Sequence, residues 1–232
     1  MRKPRRLGSI SKNSISKKRR RLRPELRRKM RQFPVLPTVI TMSNGVCGLL
    51  AIAVVTDADR DPIDRLFHAG LLIFLGMVFD VADGHAARLM KQTSRFGTEL
   101  DSLCDLVTFG AAPAFIVMQF NQLVPQRLLF GIAASYFVAA ALRLARFNVE
   151  KDFQAKTVFF QGLPTPLAAG TIASFAISVP SLQQLVTSEI AATKELGHQL
   201  RWLSMVVVPA LSAGLAWLMV SRVKYPHLAR QL

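Results

Sequence analysis

The sequence predicts an all-α, polytopic membrane protein with six transmembrane helices. It is 51% hydrophobic and yet carries a formal net charge of +16. A single soluble domain does not combine these two properties, so they must be segregated along the chain. Residues 1–34 contain fifteen of the thirty Lys and Arg residues. The remainder is dominated by six apolar runs, each close to the ~20 residues that cross a bilayer.

Three regions follow from this pattern. Residues 1–32 form a basic cytoplasmic tail, expected to be disordered because it has almost no apolar residues to bury. Residues 33–225 form the six-helix membrane domain, and residues 226–232 form a cytoplasmic C-terminal tail. The basic tail could bind nucleic acid, attract anionic lipid, or act as a topology signal. Attraction to anionic lipid and a topology signal are favoured because the tail lacks interleaved aromatic residues and leads directly into a span. No nucleic-acid partner is expected.

The predicted spans cover about residues 35–56, 66–89, 98–120, 128–148, 164–183 and 201–221. If the N-terminus is cytoplasmic, the inside segments carry 25 of the thirty Lys and Arg residues. The outside segments carry the other five, namely Arg60, Arg65, Arg127, Lys194 and Arg201. This asymmetry predicts that both termini are cytoplasmic. The acidic loop at residues 57–64 then faces outward, where a solvated connector is a simpler interpretation than a metal loop.

Four aspartates lie inside or at the edge of the second and third spans, where a charge is costly unless it has a partner. Asp80 and Asp83 are i,i+3 neighbours, whereas Asp101 and Asp105 are spaced by four, so each helix presents its acids on one face. Two such faces brought together would form an anionic pocket. Crowded carboxylates require compensating cations, and oxygen ligands suit hard divalent ions such as Mg²⁺, Mn²⁺ or Ca²⁺. The sequence therefore predicts a metal site, toward the cytoplasmic leaflet.

The spacing of these acids resembles a known signature. Residues 80–88 read D-x-x-D-G-x-x-A-R, eight residues follow, and residues 97–105 read G-x-x-x-D-x-x-x-D. This pattern is similar to that of the CDP-alcohol phosphotransferases, membrane enzymes that transfer a substituted phosphoryl group from a CDP-linked donor to an alcohol. The resemblance implies that Asp80, Asp83 and Asp101 coordinate two divalent ions, Mg²⁺ or Mn²⁺. It also implies that Asp105 completes the metal site and acts as the catalytic base, and that the enzyme is a homodimer.

Several small and polar residues are candidates for substrate binding. Gly84, Ala87 and Gly97 would let a ligand or a neighbouring helix approach closely, and helix packing alone is the alternative interpretation. The resemblance implies that Gly84 and Ala87 line the nucleotide pocket. Arg88, which belongs to the same motif, is a further candidate.

The first span opens in a way that is similar to the family pattern L-P-N-x-x-T-x-x-N, except that Thr38 replaces the first Asn. Thr41 and Asn44 match the later positions and are substrate-binding candidates. Asn44 is costly in hydrocarbon, so it should form a hydrogen bond. Its partner could be a neighbouring helix or the polar part of the donor, and the sequence leaves both open.

Residues 106–114, 141–149 and 162–170 resemble one branch of the family, the integral-membrane phosphatidylserine synthases. This implies that CDP-diacylglycerol and L-serine react to give phosphatidylserine and CMP. Arg143 and Arg146, at the end of the fourth span, suit a phosphate or a carboxylate. The alternative is that they are snorkelling anchors at the membrane boundary. Residues 162–166 are expected to make a rigid start to the fifth span without chemistry of their own.

Other functions were weighed against this one. The same family could use glycerol 3-phosphate or inositol phosphate as acceptor, or an archaeal-type lipid as donor. A remote alternative is a cation transporter, which would distribute its acids along a transmembrane path and favour inverted repeats. Here the acids crowd one leaflet and no repeat is evident. The expected location is the cell (inner, cytoplasmic) membrane, with the lipid bilayer, CDP-diacylglycerol and L-serine as partners.

Overall fold

A computed structural model describes residues 35–89, 95–120, 124–153, 160–221 and 224–225. Within these ranges the chain is almost entirely helical, and the first three helices are α1 (Val35–Thr56), α2 (Pro62–Leu89) and α3 (Arg95–Asp105). A π-helical segment, Leu106–Ala111, continues α3. The remaining helices are α4 (Ala112–Phe120), α5 (Gln126–Phe153), α6 (Thr165–Val186) and α7 (Ala191–Val220). Two short strands, β1 (Phe160–Gln161) and β2 (Lys224–Tyr225), pair antiparallel.

Six of the described segments are long and apolar enough to cross a membrane. The third is composite, because α3, the π-helical segment and α4 together form one span, Phe96–Phe120. The predicted all-α architecture with six transmembrane helices is therefore confirmed. The basic tail expected at residues 1–32 and the C-terminal tail at residues 226–232 lie outside the described residues.

Two helices begin well before their predicted spans. The helix α2 begins at Pro62, where Asp61 Oδ1 accepts a hydrogen bond of 2.8 Å from the backbone N–H of Ile63. An acidic cap followed by proline is a favoured helix start that hydropathy does not register. The helix α7 begins at Ala191, well before the predicted residue 201. Its first turns are polar but contain good helix formers, so the helix extends beyond the apolar run.

The helices pack into one bundle. The helix α2 packs against α6, α7 packs against both α5 and α6, and α4 contacts α2, α5, α6 and α7. The largest fully buried apolar side chains lie where these helices meet, and they include Ile73, Phe109, Ile116, Tyr136 and Ile172. The composite third span is thus largely surrounded by protein, which allows it to carry polar groups away from lipid.

Two glycines allow close approach of α1 and α2 to Thr108 in the π-helical segment. A Cβ atom at Gly48 would lie 2.6 Å from Thr108 Cα, and one at Gly76 would lie 2.5 Å from Thr108 Cγ2. Real Cβ atoms do not approach so closely, so both positions require glycine at this spacing. Thr108 is fully buried between them.

The segment before α6 is fixed to the end of α7. Residues 160–164, called here the lead-in segment, contain Gly162 with a φ of +84°. A side chain there would be strained, and its Cβ would also lie 2.6 Å from the carbonyl oxygen of Met219. The backbone N–H of Leu163 donates a hydrogen bond of 3.3 Å to the carbonyl of Leu218. The lead-in segment therefore has a defined position at the start of α6.

Candidate active site

Three carboxylates converge between α2 and α3. Asp80 of α2 and Asp101 and Asp105 of α3 each offer one oxygen, and these three oxygens lie within 4.8 Å of one another. Asp105 is buried and the other two side chains are half-buried. Asp101 and Asp105 share a face of α3 because they are four residues apart. The structure thus brings together three of the four aspartates named from the sequence.

Asp83 does not belong to this group of three carboxylates, but its side chain lies next to the group. Its side chain is buried, and Oδ2 has no hydrogen-bond partner among the described residues. Its charge acts on both Asp80 and Asp105. Thr41 of α1 lies next to the Asp83 carboxylate. Asp83 therefore adds negative charge and one unsatisfied oxygen at the edge of the cluster.

This donor set fits a divalent cation. Among the described residues, the ion pair is that of Asp57 with Arg60, in the loop between α1 and α2. No described Lys or Arg therefore lies within ion-pair distance of Asp80, Asp83 or Asp105. Uncompensated carboxylates are costly inside a membrane bundle. All the donors are carboxylate oxygens, which are the ligands that Mg²⁺ and Mn²⁺ prefer. The Asp83 Oδ2 atom, which has no hydrogen-bond partner among the described residues, is a further candidate ligand.

Asn44 hydrogen-bonds to Asp105 of the cluster. Its Nδ2 donates a hydrogen bond of 2.9 Å to Asp105 Oδ1, and its side chain is fully buried. Its backbone carbonyl accepts a hydrogen bond of 2.8 Å from Thr108 Oγ1. Of the two roles that the sequence left open for Asn44, the structure shows the bond to a neighbouring helix. This bond orients one oxygen of Asp105.

The other substrate-binding candidates lie near the same end of the bundle. Thr41 is buried and donates a hydrogen bond of 3.0 Å to the carbonyl of Pro37. Nothing lies within 4 Å of the position that a Cβ atom would take at Gly84, so a ligand could approach this backbone. Gly97 is half-buried near the start of α3. The side chains of Ala87 and Arg88 lie outside the described residues.

Arg143 of α5 is turned into the protein. Its Nη1 donates a hydrogen bond of 2.9 Å to Thr165 Oγ1, and its guanidinium carbon lies 6.0 Å from the ring centroid of Phe147. Its Nε is buried without an acceptor among the described residues. The Arg143 charge interacts with that of Asp105. A snorkelling anchor would extend toward water instead, so this interpretation does not fit Arg143. Both Arg143 and Arg146 are half-buried.

The sequence reasoning missed the polar residues that support this site. Thr165 and Thr108 are buried and bonded to Arg143 and Asn44, respectively. Ser102 and Asn148 join α3 to α5, with Asn148 Nδ2 lying 3.0 Å from Ser102 Oγ. These residues could have been found because each places a hydroxyl or amide within an apolar span. An unpaired polar group is costly there, so each needs a hydrogen-bond partner.

Comparison with known proteins identifies the family. The model of the CDP-alcohol phosphatidyltransferase family matches residues 34–217, which is most of the chain. The chain belongs to this family. The matched region includes all the aspartates of the cluster together with Asn44, Arg143 and Thr165. The family recognised from the spacing of the motif is therefore confirmed.

Several relatives of this CDP-alcohol phosphatidyltransferase are similar over most of its length. A CDP-diacylglycerol–serine O-phosphatidyltransferase of Bacillus subtilis is 34% identical over 200 residues, 83% of this chain and 90% of the relative. One of the same name from Methanocaldococcus jannaschii is 32% identical, covering 85% of this chain and 76% of the relative. An archaetidylserine synthase of Methanothermobacter thermautotrophicus is 34% identical, covering 64% and 60%.

Proposed function

We propose that this enzyme transfers the phosphatidyl group from CDP-diacylglycerol to L-serine, giving phosphatidylserine and CMP. The observation that carries the proposal is the convergence of Asp80, Asp101 and Asp105, together with the hydrogen bond that holds the Arg143 guanidinium to Thr165. Carboxylates and a half-buried guanidinium together suit a reaction between a pyrophosphate donor and an amino-acid acceptor. The names of the Bacillus subtilis and Methanocaldococcus jannaschii relatives support the same donor and acceptor.

In this proposal the aspartates hold divalent cations, Mg²⁺ or Mn²⁺, two of them as the family resemblance implies. Asp80, Asp83 and Asp101 are the ligands, and Asp105 completes the set. The bound cations would neutralise the donor pyrophosphate and stabilise the departing CMP.

Asp105 serves as the general base. It accepts the proton of the serine hydroxyl while the serine oxygen attacks the phosphorus that bears diacylglycerol. The bond from that phosphorus to the bridging oxygen breaks, and CMP leaves with this oxygen. Asn44 holds Asp105 Oδ1 through the 2.9 Å hydrogen bond, which leaves Oδ2 for the proton. No covalent intermediate with the enzyme is required.

Arg143 binds the serine carboxylate. A guanidinium can grip a carboxylate with two parallel hydrogen bonds, and the buried Nε–H of Arg143 has no acceptor among the described residues. Arg146, i,i+3 from Arg143, is the second candidate for the same anion. The open space beside Gly84 receives the nucleotide, together with Ala87, Arg88 and Gly97. Thr41 borders this region through its interaction with Asp83.

The donor has a specific alternative. The archaetidylserine synthase relative supports an archaeal-type lipid donor with the same acceptor, serine. Glycerol 3-phosphate and inositol phosphate are the other acceptors that the family motif leaves possible. The protein is a multi-pass membrane protein. We propose that it lies in the cell membrane with both termini cytoplasmic, because of the charge distribution along the sequence. We propose a homodimer because the family resemblance implies one.

The test is to measure CMP release by the purified enzyme in detergent. CDP-diacylglycerol or an archaeal-type CDP lipid is supplied with serine, glycerol 3-phosphate, inositol phosphate or no alcohol, each with Mg²⁺ or Mn²⁺. Serine with CDP-diacylglycerol should give the fastest release, and a chelator should abolish it. Asp101→Asn is the control for release by a contaminating enzyme. Faster release with another alcohol would contradict serine as the acceptor.

A further inference from the structure

Thr165 has no assigned part in the reaction, although it is in direct contact with a proposed substrate-binding residue. Its hydroxyl oxygen accepts the 2.9 Å hydrogen bond from Arg143 Nη1. Thr165 is only 1% exposed, so water does not compete for this bond. The contact joins residues on α5 and α6 that are 22 positions apart in the sequence. Residues 162–166, which were expected to have no chemistry of their own, therefore contact the site through Thr165.

The position of Thr165 is itself fixed. It is the first residue of α6, immediately after the lead-in segment. That segment is attached to α7 by the hydrogen bond from Leu163 to Leu218 and by the close approach of Gly162 to Met219. The pairing of β1 with β2 adds a further connection to the chain beyond α7. These attachments restrict the movement of the Thr165 hydroxyl relative to the bundle.

We propose that Thr165 is a positioning residue, whose hydroxyl oxygen fixes the orientation of the Arg143 guanidinium. The proposal rests on the proposed function, since it assigns Arg143 to a substrate anion. An arginine side chain has many rotamers, and ordering it at the moment of binding would weaken affinity. A hydrogen bond made before the substrate arrives removes that cost. Nε–H then stays available to the anion because Thr165 occupies Nη1.

The experiment uses the full chain in detergent and separates positioning from a merely structural role. The variants are Thr165→Val, which removes the hydroxyl at nearly constant shape, and Thr165→Ser, which keeps it. Thr171→Val is the matched control, because Thr171 lies on the same helix and its hydroxyl bonds only the carbonyl of Leu167. Arg143→Lys and the Thr165→Val/Arg143→Lys double variant complete a mutant cycle. The KM of each substrate and kcat are measured separately, together with the Tm of every variant.

We expect Thr165→Val to raise the serine KM about tenfold or more, the scale of a lost hydrogen bond to a charged group. The KM for CDP-diacylglycerol should change little, and Thr165→Ser and Thr171→Val should resemble the wild type. In the cycle, Thr165→Val should have little further effect once Arg143 is Lys. If the increases in serine KM of the two single variants multiply in the double variant, the proposal is overturned. It is also overturned if Thr165→Val lowers kcat and raises the KM of both substrates by similar factors. If Thr165→Val does not fold, Thr165→Ala replaces it in the same cycle.

Failure of the proposed function gives a different result. If the wild type releases CMP with another alcohol and not with serine, the acceptor assignment fails, and the same cycle run with that alcohol tests Thr165. Suppose that Thr165→Val and Arg143→Lys each raise the KM of CDP-diacylglycerol and that the double variant raises it no further. Arg143 then binds the donor phosphate. The positioning role of Thr165 is then supported while the serine carboxylate assignment is wrong.

Discussion

The Asp105 side chain combines burial, membership of the carboxylate cluster and a hydrogen bond from a fully buried amide. The amide of Asn44 is in turn tied to the bundle through Thr108. A carboxylate held in this way has one oxygen engaged and its orientation fixed before substrate arrives. This is the arrangement that a general base needs, because proton transfer requires hydrogen-bond reach to the reacting hydroxyl.

We predict that Asp105→Asn lowers CMP release by about 10²-fold or more while donor binding is retained, because an amide keeps the size of the side chain but accepts no proton. The Asn44 bond can persist, since the amide oxygen replaces Oδ1. Steady-state CMP release and binding of a labelled CDP lipid are the measurements. Asp64→Asn, on the exposed early part of α2, is the control. Release near the wild-type rate would show that Asp105 is not the base.

The two arginines at the end of α5 differ in their surroundings, so their variants should differ too. We predict that Arg143→Lys raises the serine KM strongly while the KM of CDP-diacylglycerol changes less, because Lys cannot present a bidentate fork. Arg146→Lys should have a smaller effect on serine, since only Arg143 is known to be bonded to Thr165. Each substrate is varied separately for both variants. An unchanged serine KM in both would exclude the carboxylate assignment.

The aspartates of the site could be recognised from the sequence because they repeat at helical spacing in apolar runs. The partners of Asn44 and Arg143 could not be. Asn44 lies 61 residues from Asp105, and Arg143 lies 22 residues from Thr165. Helical periodicity fixes only the face on which a residue lies. Which helices meet, and at what depth, is decided by the packing of the whole bundle.

At the level of elements, α1 is positioned by small residues rather than by large interlocking side chains. Gly45 contacts Cys104, and Gly48 contacts Thr108 one turn later. This close approach brings Asn44 within reach of Asp105. The packing of α1 and the geometry of the site are therefore linked through the same pair of glycines.

We predict that Gly48→Ala lowers both Tm and activity, because the added Cβ would lie 2.5 Å from Thr108 Oγ1 and 2.6 Å from its Cα. Overpacking of this kind costs about 1–3 kcal/mol of stability. Gly131→Ala is the control, since nothing lies within 4 Å of a Cβ atom at that exposed position of α5. Thermal unfolding in detergent and CMP release are the measurements. A Gly48→Ala variant as stable and active as Gly131→Ala would contradict the close packing of α1.

Element boundaries were predicted best where hydropathy and helix end together. The first span was expected at residues 35–56, and α1 spans Val35–Thr56. The start of α7 was placed too late because its first turns are polar but helical. The π-helical segment gave no signal, because a change in the hydrogen-bond pattern leaves the apolar composition of the span unchanged.

At the level of the whole molecule, polar groups and apolar groups are unevenly distributed. The carboxylate cluster, Arg143 and Thr165 lie toward one end of the bundle, where α2 ends and α6 begins. An arrangement with its polar site near one membrane surface suits a water-soluble nucleotide and acceptor that meet a lipid donor. It does not resemble the continuous polar path of a transporter.

We predict that removal of residues 1–30 leaves CMP release in detergent unchanged but weakens attachment to anionic vesicles. Each Lys or Arg near such a surface contributes about 1 kcal/mol of attraction, and this segment contains many of them. Full-length and shortened proteins are compared in vesicles with and without anionic lipid, and in low and high salt. Equal behaviour of the two proteins in all vesicles would exclude a lipid-binding role for the tail.

The π-helical segment acts as a one-residue insertion in an otherwise α-helical span. Each residue of an α-helix turns the following side chains by about 100°. A continuous α-helix with the same number of residues would therefore rotate the acids by about 100° relative to the buried side chain of Ile116. The number of residues in this short stretch is thus as constrained as their chemical nature.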